Sequence, residues 1–62
     1  MTNHPNRNLK TARALVGKRV EGGIGEDHDT GRVLGVIDAR RVEVAWDSGV
    51  RTPAYISDLT EI

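Results

Sequence analysis

The sequence predicts a small all-β barrel over residues 15–62, preceded by a flexible basic arm over residues 1–14. Three observations support this fold class. Beyond Gly17 short apolar runs alternate with polar residues, glycine and aspartate separate these runs, and a chain of 62 residues is long enough for one domain only. Five short strands with tight turns in about fifty residues have few ways to bury their apolar faces other than by closing into a barrel.

The composition limits how so small a domain can be stabilised. The chain has no cysteine, which excludes disulfides and thiolate zinc sites. No run is long and apolar enough to span a bilayer, and the first residues lack the apolar stretch of a secretion signal. We therefore expect a cytoplasmic protein that contacts no membrane and needs no cofactor or metal ion.

The charges are separated along the chain although the net charge is zero. Every charged residue up to Arg19 is basic, whereas all nine carboxylates follow Val20. A basic segment of this kind suits the phosphates of a nucleic acid or an acidic protein surface. The candidate nucleic-acid-binding residues are Arg7, Lys10, Arg13, Lys18 and Arg19.

The N-terminal segment is predicted to be weakly ordered. Residues 1–8 are polar and cannot bury enough surface to order themselves, so we expect a disordered tail. Leu9, Ala12, Leu15 and Val16 recur at helical spacing, which indicates a short amphipathic helical turn that Gly17 ends. Such a turn is too brief to be stable alone.

The first hairpin of the barrel follows Gly17. Lys18–Glu21 is predicted to be a strand, and the glycines and acidic residues from Gly22 to Thr30 indicate a flexible loop. The second strand is predicted at Gly31–Ile37, where Gly35 suggests a β-bulge. A short hairpin connection at residues 38–40 ends this unit.

The second hairpin contains the clearest strand signal. Apolar and polar residues alternate from Arg41 to Asp47, and Asp47, Ser48 and Gly49 suit a tight turn. The fourth strand is predicted at Val50–Tyr55, and it should lie at a sheet edge because Pro53 lacks an amide donor.

A short turn and a final strand complete the predicted barrel. Ser57 and Asp58 can cap one helical or 3₁₀ turn. The strand Leu59–Ile62 would then close the barrel.

The segments GKRV, TGRVLGVI, VEVAWDSG and YISDLTEI together resemble the small barrels of Tudor and KOW-type domains, which are Src-homology-3-like. That family shows a G-x-x-V opening, a G-x-V-x-x-V second strand, a V-x-V-aromatic third strand turning at a D-x-G corner, and a closing S-D-L. The resemblance covers about three quarters of the chain and implies a binding module.

Tudor domains that read methylated side chains surround the cation with several aromatic rings. Trp46 stands at one cage position, but Gly22, Gly23 and Ile24 stand where its partners would be. The only other aromatic residue is Tyr55. The resemblance therefore does not imply recognition of methylated lysine or arginine.

The candidate ligand-binding residues of the barrel are two aromatic residues and three arginines. Trp46 is either a ligand platform or the main core residue of a barrel without phenylalanine, and Tyr55 suits a barrel rim. The arginines would extend the basic segment onto the barrel; they are Arg40, Arg41 and Arg51. No catalytic residue is predicted, because neither histidine has a recognisable nucleophile partner.

The favoured function is a non-catalytic interaction module that binds a protein or a nucleic acid through the barrel loops and the basic arm. One alternative is a homo-oligomeric accessory protein of phage or plasmid type, whose edge strand near Pro53 pairs with a second copy. Another is an oligomeric barrel enzyme, because the chain resembles plasmid-type dihydrofolate reductases in length, tail and G-x-R-V opening. Those enzymes hold their ligands with a V-Q-I-Y strand, whereas residues 50–55 read VRTPAY.

Overall fold

The computed structural model describes residues 5–22 and 28–62. Its elements are α1 (Pro5–Leu15), β1 (Arg19–Gly22), β2 (Asp29–Val36), β3 (Arg41–Trp46), β4 (Arg51–Tyr55), a 3₁₀ turn (Ile56–Asp58) and β5 (Leu59–Glu61). The strands form one antiparallel sheet in the order β4-β3-β2-β1-β5. This confirms the predicted fold class of a small, five-stranded, all-β domain.

Valine side chains from three adjacent strands form the centre of the core. Val20, Val33, Val42 and Val44 are each at most 1% exposed. They alternate with more exposed residues along β1, β2 and β3, as period-two burial requires. The partly buried residues that pack against them are Leu15, Val36, Trp46, Ala54, Ile56 and Leu59.

The structure differs from the expected flexible arm over residues 1–14. The chain is helical from Pro5 to Leu15, and Ala12 is fully buried against the valine core. A helix of this length is marginal alone, so its stability comes from docking its apolar face on the sheet. Residues 1–4 lie outside the described residues.

The end of α1 is fixed to the sheet through Gly17. Gly17 has φ +84°, and the Lys18 amide donates to the Leu15 carbonyl at 2.9 Å, which ends the helix as predicted. The Gly17 amide donates to the Val33 carbonyl in β2 at 2.8 Å. The helix is therefore joined to the barrel by a backbone hydrogen bond as well as by Ala12.

The two predicted hairpins are present. The pairing of β2 with β3 shifts register between Val33 and Gly35, which confirms the bulge. Between β3 and β4, the Trp46 amide donates to the Val50 carbonyl at 2.8 Å, so three residues form the loop. Gly49 has φ +101°, the backbone region for which glycine was predicted there.

Pro53 lies where an edge strand can accept it. Hydrogen bonds join Trp46 to Val50 and the Ile56 amide to the Arg40 carbonyl. Because bonded and non-bonded pairs alternate in an antiparallel ladder, Pro53 occupies a non-bonded position opposite Glu43. Its nitrogen therefore faces away from β3, and the β3–β4 ladder loses no hydrogen bond.

Two local predictions need correction. Gly22, Asp29 and Thr30 were expected in a flexible loop, but Gly22 pairs with Asp29 and Thr30 pairs with Glu21 across β1 and β2, because strand pairing satisfies their backbone groups. Residues 23–27 of that loop lie outside the described residues. The 3₁₀ turn has no side-chain cap; instead the Leu59 amide bonds the Ile56 carbonyl, so Ser57 and Asp58 lie inside it.

Candidate binding surface

An open concavity of about 540 Å³ lies where β3 begins and β4 ends. Helix α1, the turn between β2 and β3, and the 3₁₀ turn meet there. The lining residues are Thr11, Ala39, Arg40, Tyr55, Ile56 and Ser57. We call this site the Tyr55 concavity.

Two predicted ligand-binding residues line the Tyr55 concavity on a fixed backbone. The Arg40 amide donates to Oδ1 of Asp38 at 2.9 Å, and the Arg40 carbonyl accepts the Ile56 amide at 2.8 Å. Tyr55 pairs with Arg41 across the β3–β4 ladder and is 54% exposed. The exposed ring and guanidinium group can therefore meet a ligand without reordering the backbone.

Arg41 is close by, but its charge is compensated. Its Nε and Nη2 atoms donate to Oδ2 of Asp38 at 3.0 and 2.8 Å. This hydrogen bonding raises the pKa of Arg41 and is the largest cause that lowers the pKa of Asp38. Of the two predicted arginines at this end of the sheet, Arg40 is the one without an ion pair in the described part of the chain.

The basic residues of α1 are exposed, and Lys10 is the chain neighbour of Thr11, which lines the Tyr55 concavity. At about 100° per residue, Lys10 lies roughly 160° around the helix from buried Ala12, and Arg13 roughly 100°. Both side chains are exposed, as is Lys18 beyond the helix. None of these three has an ion-pair partner within residues 9–22 and 28–62. The side chain of Arg7 lies outside what the structure describes.

Arg19 has a different position from the other members of the predicted basic set. Its Nη1 and Nη2 atoms donate to Asp47 at 3.0 and 2.9 Å, and Thr30 donates to the same carboxylate. These hydrogen bonds, first from Arg19 and then from Thr30, lower the pKa of Asp47 from its ordinary 3.8 to about 2. Arg19 therefore holds the β3–β4 turn against β1.

Trp46 and Arg51 lie towards the opposite end of the β3–β4 ladder from Tyr55. Trp46 is about 16 Å along β3 from Arg41, the partner of Tyr55, and Arg51 is about 13 Å along β4 from Tyr55. The indole is half-buried, packs against the core and donates from Nε1 to Oγ1 of Thr52 at 2.8 Å. It also covers Gly22, where a methyl group would lie 3.1 Å from Trp46 Cη2. These contacts are those of a core side chain with one exposed edge.

The ends of the sheet differ in charge. The acidic residues Glu21, Asp29 and Asp58 lie on or beside the strand ends near Gly22. At the Tyr55 end Arg40 is an exposed cation without an ion pair in the described residues, and Lys10 adjoins Thr11 there. Two further exposed cations, Arg32 and Arg51, lie towards the Gly22 end, so acidic and basic side chains are mixed at that end.

No protein-family model, curated protein or solved structure matches the chain. The resemblance to Tudor and KOW-type barrels consequently stays a prediction.

The described residues contain no group of three or more His, Cys, Asp or Glu side chains placed to hold a metal ion. His28 lies beside the loop outside the described residues, with its Nε2 atom 3.5 Å from Oε2 of Glu21. Helix α1 is too short and too polar to cross a membrane, and the described chain has no other candidate.

The sequence did not reveal the α1 contribution to the Tyr55 concavity. Thr11 lines it because Ala12 and Leu15 dock the helix against the barrel. Helical spacing of apolar residues was the available signal, but spacing alone does not say which part of the sheet a helix covers. Ser57 was predicted only as a cap of the turn, and no role was predicted for Ile56.

Proposed function

We propose that the chain is a non-catalytic interaction module that binds single-stranded nucleic acid at the Tyr55 concavity and the adjoining basic face of α1. The supporting observation is the combination of one exposed aromatic ring with the exposed cation Arg40 in the same concavity, beside a helix that lines it through Thr11 and carries the exposed cations Lys10 and Arg13. Aromatic stacking and a positive groove are the two elements of such binding.

The expected strength follows from these few groups. Stacking of one base on Tyr55 contributes about 1–3 kcal/mol by alanine substitution. Three phosphate contacts would give a slope of log affinity against log salt of roughly −2, at about −0.7 for each contact to a single strand. Binding should therefore be modest and strongly salt-dependent.

Fluorescence anisotropy with labelled single strands of about 12 nucleotides, DNA and RNA, tests this function. Titrations at about 50 mM and about 200 mM salt give the slope. Tyr55→Ala should weaken binding by about tenfold or more, whereas Val50→Ala, a matched loss of an exposed apolar side chain at the other end of β4, should not. Absence of binding to either strand at the lower salt would refute the proposal.

A second candidate, a homo-oligomeric accessory protein, is favoured by exposed apolar residues. Leu34, Ile37 and Val50 are 42–53% exposed, and β4 is an edge strand. Pro53 weakens this alternative, because it removes one donor from the free edge. A concentration-dependent sedimentation coefficient would support self-association, and a constant monomer mass would exclude both this candidate and an oligomeric reductase.

A further inference from the structure

Three arginines lie in one row across the outer face of the sheet. Arg19 pairs with Arg32, Arg32 pairs with Ala45, and Ala45 pairs with Arg51. Directly paired residues of antiparallel strands point to the same face. Their chain neighbours Val20, Val33 and Val44 are buried on the other face, so the row faces solvent.

We propose that Arg32 and Arg51, on either side of Ala45, bind a backbone phosphate of a single-stranded nucleic acid. This inference rests on the proposed function and assigns a second contact for the same ligand. Neither residue belongs to the Tyr55 concavity.

The distances suit one anion between two guanidinium groups. Arg32 and Arg51 are separated by β3, so their Cα atoms lie about 10 Å apart at two interstrand spacings. Ala45 between them carries only a methyl group, which leaves space for a phosphate above it. Arginine side chains are long enough to converge there and can each donate two hydrogen bonds to a phosphate.

The charges in and around the row leave a local positive excess. Arg19 is neutralised by Asp47, which also attracts Arg32 at longer range. Neither Arg32 nor Arg51 has an ion pair with any described residue. The acid of the same face in β3 is half-buried Glu43, two residues along the strand from Ala45. Two cations therefore face one acid.

A single-stranded nucleic acid with one base stacked on Tyr55 can also reach the arginine row. Arg51 and Tyr55 lie on the same face of β4, with Pro53 between them. Four residues of β-strand correspond to about 13 Å, which is within the site of 4 nucleotides or more typical of small barrels that bind single strands. The ligand would run along the outside of β4.

The test measures the salt slope of binding for Arg32→Gln, Arg51→Gln and the double variant, with a single-stranded oligonucleotide of about 12 nucleotides. Glu61→Gln is the control, because it also removes one exposed charge but lies in β5, outside the row and outside every predicted binding set. Because the two arginines share one phosphate, we expect the double variant to reduce the magnitude of the slope by about 0.7, each single variant by no more than that, and the control to leave it unchanged.

Two further measurements do not depend on charge removal. Ala45→Leu keeps every charge but fills the space between the arginines. It should therefore lower the affinity, while each phosphate contact that remains contributes the same amount to the salt slope. In the wild-type protein, the oligonucleotide should shift the amide resonances of Arg32, Ala45 and Arg51.

The outcomes separate the two proposals. If the wild-type protein binds but the arginine variants keep the slope of Glu61→Gln and the three amides do not shift, this inference is wrong and the proposed function stands. If the wild-type protein does not bind, both are wrong. Unfolding midpoints of the variants must match that of the wild-type protein for either conclusion.

Discussion

Gly31→Ala should destabilise the domain strongly, because β2 and β3 approach too closely there for any side chain. A methyl group at position 31 would lie 2.6 Å from the Ala45 carbonyl oxygen and 2.9 Å from both Trp46 Cα and Val44 Cγ1. Non-bonded carbon atoms prefer about 3.5–4.0 Å, so the overlap approaches 1 Å. Two of the three atoms belong to the backbone of β3 and cannot rotate away.

The size of the effect follows from the cost of overpacking. Inserting a methyl group into a filled site costs about 1–3 kcal/mol, and the fixed backbone contacts place Gly31→Ala towards the upper end. In a domain of this size each kcal/mol lowers the melting temperature by about 4–8 °C. We expect a decrease of roughly 10–20 °C in calorimetry, with a matching shift of the urea midpoint.

Gly35 provides the control within the same strand. A methyl group there would contact nothing within 4 Å, and its φ is not positive. Gly35→Ala should therefore be neutral or stabilise by up to about 1 kcal/mol through the unfolded chain. Equal midpoint shifts for the two variants would refute the β2–β3 register on which the core and the arginine row depend.

Three other predictions test local interactions. Arg19 lowers the pKa of Asp47 to about 2, so the stabilising contribution of Asp47 is complete above its ordinary pKa of 3.8 and is lost as the pH falls towards 2. Asp47→Asn should therefore make the stability depend less on pH in that range, as measured by acid unfolding followed by circular dichroism. Thr52→Val removes the acceptor of the Trp46 indole and should cost about 0.5–1.5 kcal/mol in urea unfolding followed by tryptophan fluorescence; an unchanged midpoint would contradict the hydrogen bond. Gly49→Ala should cost about 1–2 kcal/mol because φ is +101°, whereas Gly49→Asn should cost less because asparagine adopts positive φ more readily.

Local pattern was sufficient for most of the barrel. The alternation around Val42 and Val44, and the turn residues after Trp46, depend on side-chain periodicity and on backbone conformations that few residues adopt. Strand ends shifted by one or two residues, because hydrogen bonding to neighbouring strands decides where a strand ends. Gly22 and Asp29, for example, joined strands through pairing that sequence alone does not specify.

The binding residues were harder to place than the strands. Tyr55 and Arg40 come together because β4 returns beside β3, whereas Trp46 and Arg51 are carried to the far end. Residue type suggested all four, but grouping them requires the register. Arg19 and Arg41 could not be recognised as structural cations, because their partners Asp47 and Asp38 become neighbours only in the folded turns.

The burial of Ala12 couples ligand binding to the stability of the fold. Removing residues 1–14 would remove the charges of Lys10 and Arg13. It would also expose the valines that Ala12 covers. Conversely, any anion that holds the docked helix in place selects the native state over the unfolded one, and should raise the melting temperature in proportion to the logarithm of its concentration once it saturates the site. Thermal scanning against a series of polyanions would therefore reveal ligands without a label, through a helix that Ala12 and Leu15 hold against the core.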